Sequence, residues 1–203
     1  MTLKYFSFKN GSLTRERIRK QLNCEWEDFS KLISKTKPGN DGHIGFYFDE
    51  DEIAPRVYKG DFRFVKKNGK YEKVKEFSPE IEARALLEGQ SLLKLYFAKA
   101  MGFESTHGRL FITGGASNNP DLQQILSDMF DMDLYIIDVP DSPPLGGARL
   151  ARYAYYSPKE SYSDYYKDTS IEKKSSPDSK KSQLYRDMLP ELEEIFKLLP
   201  EKP

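Results

Sequence analysis

Residues Arg109–Asp138 read RLFITGGASNNPDLQQILSDMFDMDLYIID, and this stretch decides the fold class. Leu110, Phe111 and Ile112 form a short run of strand formers, closed by Thr113. Gly114 and Gly115 follow at once and remove two side chains where the backbone must turn, so that a flat ligand can lie against it. Asn119 is a good N-cap, Pro120 suits the first helical position, and Asp121 complements the positive helix end. Leu122, Ile125, Leu126, Met129 and Phe130 recur at helical spacing, and Leu134–Asp138 reads as a second strand. A parallel strand–turn–helix–strand unit receives ligands at the carboxyl ends of its strands, which is where the glycine pair sits. By itself, a Gly-Gly turn is commonly backbone geometry and nothing more.

Outside this unit the chain has 203 residues, enough for one domain with a proper core, and 38% hydrophobic content with 13% aromatic supports a globular fold. The 32 basic and 32 acidic residues cancel, which argues against nucleic acid as a partner. Cys24 is the single cysteine and has no internal partner for a disulfide, as expected in a reducing compartment. No apolar run reaches membrane-spanning length and no secretory signal opens the chain, so the expected location is cytoplasmic, without a membrane partner. There is no GxxxxGK[ST] loop, and the protein-kinase signatures are missing. His43 and His107 do not form a zinc pattern with Cys24, and no metal site is expected.

Leu3–Phe8 reads as an aromatic-rich strand, and Ser12 as the cap of a helix to about Leu22. Arg15, Arg17, Arg19 and Lys20 are expected to form a solvated helix face. A second helix over residues 25–34 should bury Trp26, Phe29 and Ile33 and end at Lys37-Pro38-Gly39-Asn40. Residues 44–48 read as a strand. The acidic run 49–52 lacks EF-hand spacing and reads as a solvated loop. Phe62 and Phe64 alternate inside a short strand or hairpin within residues 56–76. Ser78-Pro79-Glu80 starts a helix to about Ala100, stopped at Gly102 and buried on more than one face. Gly89 inside it costs about 1 kcal/mol of helix propensity relative to alanine, which a close packing contact would explain. Gly146-Gly147 opens a helix to about Tyr155, for close packing or a ligand. Residues 157–182 read as a mobile polar segment, and 183–203 as a closing helix with Leu184, Met188, Leu192, Ile195 and Leu199 on one side, bent or broken at Pro190.

The GGASNN turn after its strand, followed by helix, LYIID and GGARLARYAY, resembles the adenosine-binding segment of the FGGY carbohydrate kinases. FKNGSLTRERIR, EWEDFSK, GFYFDEDEIAP, EIEARALLEGQ and QLYRDMLPELEEIF fall in the same order as in that family, nearest to its xylulose kinases of the animal type. The resemblance implies an α/β fold of the actin-like ATPase, ribonuclease H-like kind, a mixed sheet flanked by helices. It implies that residues 1–156 correspond to the C-terminal nucleotide-binding domain, with ATP and magnesium used by the parent enzyme to phosphorylate D-xylulose. In such enzymes the catalytic aspartate, the phosphate loops and the sugar contacts lie in regions the resemblance does not reach. No catalytic residue is therefore expected in this chain, and alone it should be inactive and bind ATP about as well as adenosine. Gly114, Gly115 and Ala116 are implied as the wall against adenine, Asn119 as a hydrogen-bonding partner, and Trp26 as a nucleotide contact, although a core tryptophan is the plainer reading of Trp26. The alternatives are a non-catalytic nucleotide-binding or interaction module on a kinase-derived fold, and a kinase for ribulose, glycerol, gluconate or another polyol.

Overall fold

Three short sheets and seven helices are described in a computed structural model, which covers residues 4–105, 108–114, 118–137, 142–156, 159–166 and 171–200. The first half begins with helices α1 (Ser12–Gln21) and α2 (Trp26–Ser34) and a 3-10 turn at Asn40–Gly42. Strand β1 (His43–Phe48) follows, then the small pair β2 (Glu52–Ile53) and β3 (Arg56–Val57), and the hairpin β4 (Gly60–Lys67) and β5 (Lys70–Val74). β1 is buried over Ile44–Phe48, as its unbroken apolar run demands of a strand covered on both faces. It pairs antiparallel with β4, setting Ile44 opposite Phe64 and Phe46 opposite Phe62, so both alternating phenylalanines enter the core. Asn68 and Gly69 turn the hairpin at φ of 51° and 80°, the left-handed pair that a tight two-residue turn requires.

Helix α3 (Pro79–Ala100) is the central element, buried almost continuously from Glu82 to Leu93. Ser78 precedes it without capping a helix N–H; its hydroxyl donates to Glu80 Oε1 at 2.7 Å instead. Gly89 explains the cost in propensity. A Cβ placed there would lie 1.9 Å from the carbonyl oxygen of Gly45, so helix and strand touch backbone to backbone.

The second half contains β6 (Arg109–Ile112), α4 (Pro120–Phe130) and β7 (Asp133–Ile137), as the opening stretch predicts. β6 and β7 are parallel, with Leu110 beside Leu134 and Ile112 beside Ile136. Helix α5 (Ser142–Tyr156) begins ahead of the glycine pair expected to open it, and α6 (Tyr162–Tyr165) is one turn. No described atom lies within 4 Å of a Cβ built on Gly146 or Gly147, so close packing is not what these two residues provide here. β8 (Ile171–Ser175) adds antiparallel to β7 and makes the sheet mixed.

Helix α7 (Ser179–Phe196) closes the described structure, starting four residues before the expected point because Asp178 accepts hydrogen bonds from Lys180 N and Lys181 N. Both β8 and the first turn of α7 fall within residues 157–182, so that polar stretch contains regular structure. Pro190 stands inside α7 and does not end it; the residue is exposed, on the side where a carbonyl left without its helical partner can meet water. The buried face is Tyr185, Met188, Leu192 and Ile195, with Leu184 turned outward.

Three further expectations are corrected. Residues 4–8 take no regular structure; Phe6 and Phe8 pack their rings against Phe97 instead of pairing in a sheet. Arg15 and Arg19 are buried, and Arg17 is held between Asp49 and Asp61, so α1 does not present a solvated basic face. The acidic run is not all solvated either. Glu52 is buried, and its carboxylate accepts from the backbone N–H groups of Lys9, Asn10 and Ile53 and from Asn10 Nδ2. These bonds fix the segment leading into α1 to β2, an arrangement stable only because both carboxylate oxygens are engaged.

Candidate nucleotide site

Helix α4 begins where β6 ends, and Asn119 organises that beginning. Its Oδ1 accepts from Leu122 N at 2.9 Å, the capping bond expected of it. The amide oxygen is thereby committed to the helix, and Nδ2 is the part of the side chain suited to a ligand. Gly114 takes φ of 70°, a conformation that strains any residue with a Cβ, and no described atom lies within 4 Å of the position a Cβ would occupy. The glycine is thus needed for the turn, and the space beside it is open. Gly115 and Ala116 lie outside the described residues.

Trp26 opens α2. The expectation that it is buried is not met: it is 37% exposed, while Phe29 one turn on is fully buried. Its indole is backed on two sides. Phe29 meets it edge to face at 5.3 Å between centroids, and the Arg19 guanidinium stands 5.6 Å from the ring centre. Arg19 is itself held by Glu16 at 2.6 Å, by Glu25 at 3.1 Å and by the carbonyl of Cys24. The ring is therefore braced from behind and open in front.

Helices α1 and α2 and the start of α4 enclose one open cleft, in which Leu13, Arg15, Trp26, Ser30, Asn119 and Pro120 stand together. Ser30 Oγ donates to Asp121 Oδ2 at 2.5 Å and so ties α2 to the first turn of α4. The structure thus brings Trp26 and Asn119, far apart in sequence, to the same opening. Sequence reasoning missed Leu13, Arg15 and Ser30. A serine and an arginine on helices carry no signal of their own, and Leu13, 81% exposed, breaks no periodicity that would have marked it.

The architecture, with a mixed sheet that contains a parallel strand–helix–strand unit, is matched in solved structures. Xylulose kinases from Lactobacillus acidophilus and Rhodospirillum rubrum superpose with TM-scores of 0.73 and 0.74 at 21% and 15% identity, each covering 94% of this chain and 38% of the other. Gluconate kinase from Lactobacillus acidophilus superposes with a TM-score of 0.72 at 20% identity. The fold is that of the actin-like ATPases. The sequence model of the FGGY family of carbohydrate kinases, C-terminal domain, matches residues 68–155. It is 42% identical over 146 residues to the xylulose kinase of Mus musculus, covering 71% of this chain and 26% of the relative. It is 38% identical over 162 residues to xylulose kinase 2 of Arabidopsis thaliana, covering 75% of this chain and 29% of the relative. The chain thus spans about a quarter of the length of these curated relatives.

No helix of the described residues is long and apolar enough to cross a membrane.

Proposed function

We propose that this chain supplies the adenine-nucleotide end of a xylulose kinase, which transfers the γ-phosphoryl group of ATP to a hydroxyl of D-xylulose and yields D-xylulose 5-phosphate and ADP. The observation that carries the reading is the meeting of Trp26 and Asn119 across one open cleft, at the carboxyl end of a parallel strand. A purine ring lying on Trp26 gains stacking and apolar burial on a face already braced by Phe29 and Arg19. The family resemblance assigns Gly114, Gly115 and Ala116 as the wall against adenine, and Asn119 Nδ2 donates to the base or ribose. The identities of 42% and 38% to xylulose kinases support D-xylulose as the sugar.

The chemistry of phosphoryl transfer needs an in-line hydroxyl, a proton acceptor and groups that hold charge on the phosphates. The cleft residues provide a seat for the base, and this reading gives none of them the part of in-line hydroxyl or proton acceptor. Among the described residues no cluster of three His, Cys, Asp or Glu side chains is placed to hold a metal ion. In this reading magnesium comes with the phosphates of ATP, and the aspartate base and sugar contacts belong to the N-terminal domain of the enzyme. The single cysteine, Cys24, without an internal disulfide partner supports a reducing compartment, the cytoplasm, as the setting of the reaction.

The test is Gly115→Val in a kinase of the relatives' full length that contains this sequence. A branched side chain placed against the adenine raises the KM for ATP and leaves the KM for D-xylulose little changed. Unaltered constants in a folded variant refute the glycine turn as the adenine wall.

A further inference from the structure

Three arginines are buried, and two of them are neutralised in the usual way: Arg19 by Glu16 and Glu25, Arg84 by Glu88. Arg15 is the exception. It is 8% exposed, and among the described residues no carboxylate lies within ion-pair distance of it. The acceptor it meets is neutral: Nη1 donates to Gln90 Oε1 at 2.9 Å. Gln90 is in turn fixed by its Nε2, which donates to the carbonyls of Asn10 and Gly11 at the foot of α1. A second cation stands close behind. Lys94 Nζ donates to the carbonyl of Gln90 at 3.0 Å, and burial, with Arg15 as the next cause, pushes its pKa down to about 8. A buried guanidinium without a counter-charge is costly unless an anion completes it.

Arg15 also lines the Trp26 cleft. The two acids on that lining do not neutralise it. Glu16 is engaged by Arg19 and Lys20, and Glu27 adjoins Trp26 in the first turn of α2, at the end given to the base. One opening therefore offers an aromatic ring and a buried, oriented, uncompensated cation, which is the polarity of a nucleotide: flat apolar base, anionic tail. We infer that Arg15 binds the phosphate chain of the nucleotide, using the guanidinium N–H groups that Gln90 leaves free. This rests on the nucleotide reading of the cleft and adds a phosphate contact to a chain whose sequence shows no phosphate loop. A guanidinium suits the task because its fork presents parallel donors to phosphate oxygens and keeps its charge when buried.

The experiment is calorimetry or ligand-observed NMR of the 203-residue chain with adenosine, ADP and ATP, repeated with Arg15→Met and Arg15→Lys. Hydrogen bonds to charged groups imply that ATP and ADP bind about tenfold tighter than adenosine. Arg15→Met brings all three ligands to the same affinity and leaves adenosine unchanged, whereas Arg15→Lys keeps part of the difference. Equal binding of adenosine and ATP to the unaltered chain overturns the role of Arg15 and leaves the base site standing. Binding of neither overturns both readings. Should Arg15→Met lose its folded circular dichroism, pyrophosphate titrated into the unaltered chain decides. Displacement of ATP but not of adenosine supports the inference, and displacement of neither overturns it.

Discussion

Gly89→Ala is the substitution whose sign the structure fixes most sharply. On helix propensity alone it should stabilise α3 by about 1 kcal/mol, since glycine is a poor residue for a helix interior. The contact with β1 opposes this. A Cβ at residue 89 would lie 1.9 Å from the carbonyl oxygen of Gly45, against 3.4–4 Å for ordinary contact, so the two elements must separate by about 1.5 Å. The atom in the way is backbone and has no rotamer to yield. Moving it means shifting β1, whose residues Ile44, Phe46 and Phe48 are buried, or lifting α3, which carries Leu86, Leu87, Leu92 and Leu93. Overpacking of this kind costs about 1–3 kcal/mol and sometimes more, with the upper part of that range expected where both partners are backbone. The net expectation is a loss of about 2 kcal/mol, read as a lower midpoint in urea at an unchanged slope. A variant as stable as the parent, or more stable, shows that α3 and β1 do not touch at Gly89 and refutes the packing described here.

Asn119→Ala removes the cap of α4 and should cost about 1 kcal/mol of stability in the same assay, together with weaker nucleotide binding; a change in neither contradicts the assignment. Glu88 is fully buried between Arg84 and Tyr185, and burial holds its carboxyl above the usual range despite those partners. A carboxyl raised in the folded state contributes stability that is present below its unfolded pKa and lost as pH rises through the folded value. Tyr185→Phe deletes a bond to the charged form and raises Glu88 further. The stability gap to the parent should therefore widen from about pH 4 towards pH 7, reaching about 1.5–3 kcal/mol; a gap that narrows refutes it. The 203-residue chain assayed alone for ADP release with ATP and D-xylulose should give background only, and robust sugar-dependent turnover contradicts the assignment of catalysis to other regions.

What was legible in the sequence was local. Strand, capped helix and strand in residues 109–137 are each specified by neighbours a few positions apart, and the structure reproduces them over its described residues. Helix α3 was bounded correctly by Pro79 and Gly102 for the same reason, and Gly89 announced a close contact because nothing else justifies it. Long-range partners were not legible. Arg17 looks solvent-facing until Asp49 and Asp61 arrive from other elements, and Glu52 looks like part of a wet loop until the backbone of Lys9 and Asn10 closes on it. β8 was hidden by its composition: IEKKS is largely exposed at the sheet margin, where burial imposes no apolar alternation. Of the site residues, Asn119 declared its cap, but Trp26 alone could not declare which way its ring faces. Arg15 looked like one of several basic residues until the lack of an ion pair to it among the described residues became visible in three dimensions.

The central claim is that the cleft between Trp26 and Asn119 holds the adenine of a nucleotide. Trp26 is the chain's single tryptophan, so its indole N–H gives one unambiguous cross-peak in a nitrogen–proton spectrum. Titration with adenosine and then ATP should shift that peak and the Asn119 side-chain amide together. The shifts should saturate with a dissociation constant of roughly 0.1–10 mM, about 3–5 kcal/mol of binding free energy. Both peaks unmoved at saturation of any nucleotide site found by calorimetry, or no binding at all, contradicts the account.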